Sequence, residues 1–270
     1  MSELLLKYKW TTLVLGIGIS FAAYAEVKLR DGTTLDESPV RIVSYVEVSA
    51  DNVTDAEVSI RAYVKDSHAV QGNLEAEALR RIHHNNNFVI LESWATPAAY
   101  DKHLTATKTR LFRSKLQPTL IAPMDVRRHA VLTTASEQPS VEDQSMVYVV
   151  THVDVVPPQQ FSPCTVAPDP AGPCANDLIK AFAASSRDHD GNRLFEVLTQ
   201  SNRGNHMTVI EAWQNVAAHA AHHEHKDTVI FRSALAGTNP NIKFDTGSFL
   251  PKDLMIGSLW DERLYVKLKP

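Results

Sequence analysis

The 270-residue chain reads as an α+β protein: two ferredoxin-like β-α-β-β-α-β repeats packed sheet to sheet, forming an α+β barrel within one chain. Three observations predict this. Displaced against itself by 119 positions, the sequence repeats 19 of the 61 residues from Ala56 to Leu116 without a gap, which marks an internal duplication. Each copy has the same order of β-branched runs and helix-period segments. In such a unit the helices cover one face of the sheet, so the other face needs a cover, and the second copy is the obvious one.

The elements follow in order. Val40–Val48 and Val147–Val155 match at a displacement of 107 and are the first strands of the two halves. Amphipathic segments near Ala56–Ser67 and Asn176–Ser186 are the first helices. Gly72 and Gly191 break the pattern. Polar second strands follow near Glu75–Ile82 and Leu194–Ser201, and the turn-rich His83–Asn87 and Asn202–His206 lead into the third strands. These third strands are Phe88–Trp94 and Met207–Trp213. A longer helix is expected from Pro97 to Leu116 and from Val216 to Leu235, and Arg128–Leu132 and Arg263–Leu268 close each half. The domains are set at 40–133 and 146–268, joined by the polar stretch from Thr134 to Ser145.

The two displacements differ by a 12-residue insertion in the second copy. It falls in the Pro-rich stretch 157–174, which holds both cysteines. Cys164 and Cys174 are expected to form a local disulfide, the rival being a free, reactive pair. The expected compartment is oxidising, because residues 1–25 have the form of a signal peptide. Lys7 and Lys9 precede an uncharged apolar run from Trp10 to Phe21, and Ala23-Tyr24-Ala25 offers small residues where a signal peptidase reads. Cleavage after Ala25 would leave a chain with no second apolar stretch of spanning length, hence no stable membrane insertion. The expected location is periplasmic or secreted.

Composition excludes other classes. With 44% hydrophobic and 21% charged residues the chain is not disordered. A net charge of -4 gives no nucleic-acid footprint. No Gly-rich dinucleotide fingerprint appears, and no Ser-His-Asp or Cys-His set can be assembled.

The matched residues outline a site. Glu92 and Trp94 lie two apart on a strand and share a face, as do Glu211 and Trp213. Each Trp either walls a substrate pocket or fills core volume with its indole held by the Glu. His103 and His222 hold the same place in both halves while their neighbours drift. They suit a general base, or else a structural bond to the strand-three carboxylate. Arg113 and Arg232 also match, to hold a substrate or superoxide charge or to form salt bridges in the packing. The second half alone adds His219, His223 and His225. His219 and His223 are spaced for a metal, but the expected role of this run is a solvated face, and no metal is assigned. His83 and His84 are read in the same way.

Each half resembles the antibiotic biosynthesis monooxygenase domain, of the dimeric α+β barrel superfamily. The resemblance rests on a Glu-x-Trp strand end, a His nine residues beyond the Trp, and Phe and Leu near the helix end. These are Glu92, Trp94, His103, Phe112 and Leu116, and then Glu211, Trp213, His222, Phe231 and Leu235. Where relatives pair two chains, this one is expected to be a pseudo-dimer by itself. The resemblance implies a cofactor-independent monooxygenase acting on a quinol or hydroxyaromatic, polyketide-like substrate with O2. His103 or His222 would take the proton, and Trp94, Trp213 and an Arg would steady substrate and superoxide. Ile90 and Val209 stand where some of these oxygenases carry Asn. Arg113 and Arg232 stand where the haem-degrading branch carries its iron ligand. The alternative is a non-catalytic protein of the same barrel that binds an aromatic molecule or haem.

Overall fold

A computed structural model describes residues 38–134, 146–155, 175–235 and 259–268. The expected signal segment 1–25 and the insertion 157–174, with Cys164 and Cys174, lie outside the described residues. The first half runs β1 (Val40–Glu47), α1 (Val53–His68), β2 (Asn73–Arg81), β3 (Asn87–Trp94), α2 (Pro97–Thr105), α3 (Thr107–Leu116) and β4 (Asp125–Thr133). The second runs β5 (Val147–Asp154), α4 (Ala175–Ser186), β6 (Asn192–Gln200), β7 (Arg203–Trp213), α5 (Val216–Glu224), α6 (Lys226–Leu235) and β8 (Leu259–Lys267). No described helix is long and apolar enough to cross a membrane.

The eight strands close into one antiparallel barrel, in the order β1-β3-β2-β8-β5-β7-β6-β4. The halves therefore join edge to edge as well as face to face. β2 pairs with β8 from Leu79↔Lys267 to Arg81↔Tyr265, and β4 pairs with β6 from His129↔Gln200 onward. Strand alternation sorts the side chains. Val43, Val89, Leu91, Tyr148, Leu198 and Ile210 are buried in one cluster drawn from both halves, which fills the barrel. Their neighbours Val46, Phe88 and Ile90 face outward onto α1 and α3, and Val149, Met207 and Val209 pack with α4 and α6. Polar groups tie the same junctions: Arg41 bridges Glu75 and Glu196, at 2.9 Å each, and Lys267 pairs with Glu77.

The structure differs from the sequence expectation in three places, the first being that the closing strands start early, β4 at Asp125 against Arg128 and β8 at Leu259 against Arg263. The long helix of each half is two helices. Ala106 and His225 take extended backbone, at ψ 144° and ψ 141°, and the amide of each is tied to the preceding turn, at His103 and His222. The break lets α3 and α6 turn back, so that Thr109 and Thr228 approach those histidines. Also, the second hairpin turn is confined to Ser201 and Asn202, because β7 already begins at Arg203.

The helix starts are capped by different residues in the same role: Thr96 Oγ1 accepts from the Ala99 amide, and Asn215 Oδ1 from the Ala218 amide. Beside each cap sits the repeated glycine. Gly72 has φ +92° and Gly191 φ +81°, and a Cβ there would come within 2.7 Å of the Ala99 Cβ or 2.6 Å of the Ala218 Cβ. Left-handed backbone and lack of room both demand glycine. We expect Gly72→Ala to cost roughly 1–3 kcal/mol, read as a fall in the denaturant midpoint. An unchanged midpoint would mean that α2 can move away from the turn at little cost.

Candidate functional site

β3 sends Phe88, Ile90, Glu92 and Trp94 to its helix-covered side, so the Glu-x-Trp pair faces the helices and not the barrel lumen. There it meets the last turn of α2. The Trp94 and His103 rings lie 4.6 Å apart at 33°, and Trp94 is fully buried. The second half reproduces this, with Trp213 and His222 also 4.6 Å apart at 33°. The duplicated Glu, Trp and His do assemble into one nest per half.

The partners in the two nests differ. In the first half Tyr63 of α1 stands between base and acid. Its hydroxyl lies 3.1 and 3.2 Å from the Glu92 carboxylate oxygens and 3.0 Å from His103 Nε2. The direct gap from His103 Nε2 to Glu92 is 4.0 Å. Thr109 Oγ1 is 3.2 Å from the same imidazole nitrogen and Ser67 Oγ is 3.5 Å away. Tyr63 has one proton to give. When it donates to Glu92, its oxygen accepts from His103 Nε2–H, which leaves Nδ1 with the lone pair. The Trp94 indole N–H lowers the Glu92 pKa but lies outside hydrogen-bond geometry.

Burial sets the electrostatics. It pushes Glu92 up to about 7, against the pull of Tyr63, Trp94 and Arg113. Burial, then the Arg113 charge, lowers His103, so the imidazole is neutral near neutral pH. Burial and the Glu92 charge raise Tyr63, which stays protonated. The result is a neutral base joined through a phenol to a carboxyl that can hold a proton.

A cavity of about 380 Å³ opens between α1 and α3 over this nest. Val58, Tyr63, Leu111 and Phe112 line it, with His103 and Thr109. Tyr63 is fixed by stacking on Phe112, with ring centroids 4.2 Å apart. Lys108 and Asp66, paired at 2.6 Å, also line it.

In the second half Phe182 replaces Tyr63, so the hydroxyl link is gone. Glu211 accepts from the Trp213 indole at 2.8 Å, and burial with the nearby Glu262 charge pushes it up to about 8. His222 Nδ1 lies 2.8 Å from His189 Nδ1. Burial, then His189, His219 and His223, lower it to about 3. The expected solvated face is corrected here. His219 and His222 are 4% exposed, because α5 lays that side against β7 and β8. His225 is exposed; His223 is intermediate.

The arginines do not reach the nests. Arg113 is exposed, does not line the cavity, and acts on Glu92 and His103 only through its charge. Arg232 pairs with Glu262 at 2.9 Å, beside Trp260. Tyr63 and Glu262 went unnoticed in the sequence. Thr109 and Ser67 had a signal there, since Thr228 and Ser186 repeat them.

Comparisons with known proteins agree with this architecture. The family model for antibiotic biosynthesis monooxygenase matches residues 39–115 and 175–230. YcnE of Bacillus subtilis (strain 168), provisionally named a monooxygenase, is 28% identical over 85 residues, 32% of this chain and 90% of that protein. A provisionally named monooxygenase from Fusobacterium nucleatum superposes with a TM-score of 0.66 at 17% identity, covering 87% of this chain and 94% of its own. One from Lactobacillus acidophilus NCFM gives 0.61 at 14% identity, covering 86% and 94%. An anthrone oxidase-like protein gives 0.56 at 12% identity, covering 86% and 92%. These likenesses of structure are likenesses of fold.

The raised Glu92 carboxyl has a consequence for stability. Its folded pKa lies above the ordinary value of 4.5, so the native state holds a proton that the unfolded chain releases. That stabilisation is complete below pH 4.5 and lost as pH rises through about 7. The lowered His103 works oppositely, but equally in wild type and a Glu92→Gln variant. We expect Glu92→Gln to gain about 3 kcal/mol relative to wild type between pH 4.5 and 8, in urea unfolding series. Parallel curves would show that Glu92 is ionised in the folded state throughout.

Proposed function

Because the chain belongs to the antibiotic biosynthesis monooxygenase family and carries the domain twice, we propose that it is a cofactor-independent monooxygenase of quinols or hydroxyaromatics, with its working site in the first half. One observation carries this reading: the neutral His103, joined through Tyr63 to a carboxyl of pKa about 7, beneath an apolar-walled cavity.

The reaction this site suits begins with a proton. A hydroxyaromatic lying along Leu111 and Phe112 gives its proton to His103 Nδ1. The Nε2 proton passes to Tyr63 and the Tyr63 proton to Glu92, so no net charge is left on the imidazole. The substrate anion is electron-rich and passes one electron to O2. Recombination of the radical with superoxide gives a peroxide anion, which takes the proton back from Glu92 through Tyr63 and His103 to become a hydroperoxide; loss of water, with the remaining hydrogen of the same carbon, leaves one oxygen atom on the product. The substrate supplies every electron. Trp94 holds the His103 ring in place, and the Lys108–Asp66 ion pair stands at the cavity wall. In the second half Phe182 breaks the relay and His222 is tied to His189. That half is proposed not to turn over this substrate. The export reading of residues 1–25 belongs to the same proposal and sets the reaction in the periplasm or outside the cell.

Oxygen uptake by the purified chain against a panel of anthrones and quinols tests this. We expect uptake above autoxidation. His103→Ala should cut kcat/KM by roughly 10²–10⁴-fold, and Tyr63→Phe by about tenfold. His222→Ala should change it by less than about threefold. Full activity in His103→Ala would overturn the assignment of the base. No uptake, with saturable quenching of tryptophan fluorescence by the same compounds, would make the protein an aromatic-binding module.

A further inference from the structure

We infer that the second half holds a site for one divalent transition-metal ion, ligated by His219 and His223 of α5 and Glu262 of β8. The three ligand atoms form a small triangle. His219 Nε2 and His223 Nε2 are 3.1 Å apart, and Glu262 Oε1 is 3.2 Å from the first and 2.8 Å from the second. An ion bound at about 2.0–2.2 Å holds adjacent ligand atoms about 2.8–3.1 Å apart at octahedral angles and about 3.3–3.6 Å apart at tetrahedral ones. The triangle already has that size, to within a few tenths of an ångström.

Hydrogen bonding alone accounts poorly for this convergence. Each imidazole nitrogen has one proton or one lone pair to offer. If both Nε2 atoms donate to Glu262, their two protons face each other across 3.1 Å. If only His219 donates, the His223 lone pair can accept from Arg232 Nη2 at 3.4 Å but still lies 2.8 Å from the Glu262 oxygen. A cation at the centre satisfies all three atoms.

The surroundings fit. Glu262 Oε2 accepts from Arg232 at 2.9 Å and from the Trp260 indole at 3.2 Å. The carboxylate is thereby oriented with Oε1 left for the histidines, as outer partners orient ligands in metal sites. His219 and His223 are one helical turn apart, so the helix fixes their spacing. The His223 side chain is 33% exposed, which gives an ion a route in and leaves coordination positions for water. Two histidines and one carboxylate suit zinc and iron(II) alike.

A second, independent observation comes from the duplication. At the matching positions the first half carries Tyr100, Leu104 and Val126. The register shows it for the last: Val126 lies opposite Ser44 and Glu262 opposite Thr151, and Ser44 and Thr151 correspond. The scaffold therefore folds without these groups, and all three ligands occur together in one half only. The neighbouring His189, His225 and Asp227 are more loosely spread, with 3.8 Å from Asp227 to each histidine.

The test is a cobalt(II) titration of the full chain after chelator treatment, followed by competition with zinc(II). We expect one equivalent per chain, with visible d–d absorption displaced by zinc. His223→Leu/Glu262→Val installs two of the three first-half residues, leaving His219 alone, and should weaken binding at least ~100-fold. His223→Leu alone makes the same point should the double variant fail to fold, and should weaken binding at least ~10-fold. His225→Ala should bind as wild type does. Absence of saturable binding, or binding unaltered in His223→Leu, overturns the proposal.

Discussion

The fold depends on closing the barrel. A four-stranded sheet with helices on one face leaves an apolar inner face and two open edges, and neither can be left to water at acceptable cost. Here β8 caps the edge of β2 and β4 caps that of β6, so each half's last strand completes the other half. The buried cluster inside is common property, with Val43 and Val89 beside Tyr148 and Ile210. Packing fills the lumen, so a cavity of useful size has to form elsewhere. It forms in the outer helical layer, where α1 and α3 part above His103.

Duplication within one chain then changes what substitution can do. In a symmetric dimer of identical chains, a change at one site is a change at both. Here the frame has stayed constant, to the same 4.6 Å and 33° between Trp and His rings in both halves. The partners of that frame have diverged separately. One His sits beside a phenol that leads to a carboxyl; the other sits among imidazoles. Both are kept neutral by burial, but the first adjoins a buried phenol and carboxyl, and the second adjoins His189, whose Nε2 lies 3.8 Å from Asp227.

Much of this was legible in the sequence because physical demands repeat. Glu, Trp and His recur at fixed spacing where sheet and helix must meet, and Gly72 and Gly191 recur because neither turn has room for a Cβ. The breaks at Ala106 and His225 were not legible. No Gly or Pro marks them, and helix-period apolar residues continue on both sides. Tyr63 escaped because it is matched by Phe182, and a search for identity passes over the residue that makes one half different. Glu262 escaped because it lies beyond the second half's extra residues, where the register with the first half is lost; strand pairing recovers it. The buried side of the His219–His225 run was hidden by composition. A run of His and Ala reads as solvated until β8 is placed against it.

The divergence of the two halves is also collective. In the first half Val126 and Leu104 pack around Tyr100 and Trp94 in an apolar cluster, and Arg128 lies over the outer side of Tyr100, 5.0 Å from its ring, while pairing with Asp101. A Glu at position 126 alone would put a carboxylate into this apolar cluster without the two imidazoles that face Glu262, at a cost of several kcal/mol. The reverse is as costly: removing Glu262 alone leaves Arg232 and two imidazoles without their common acceptor. Tyr, Leu and Val on one side, and His, His and Glu on the other, are each consistent as sets and poor as mixtures. Passage between them runs through partly unsatisfied intermediates. The chain tolerates such a passage because the barrel, and the catalytic nest proposed for the other half, do not depend on which set is present.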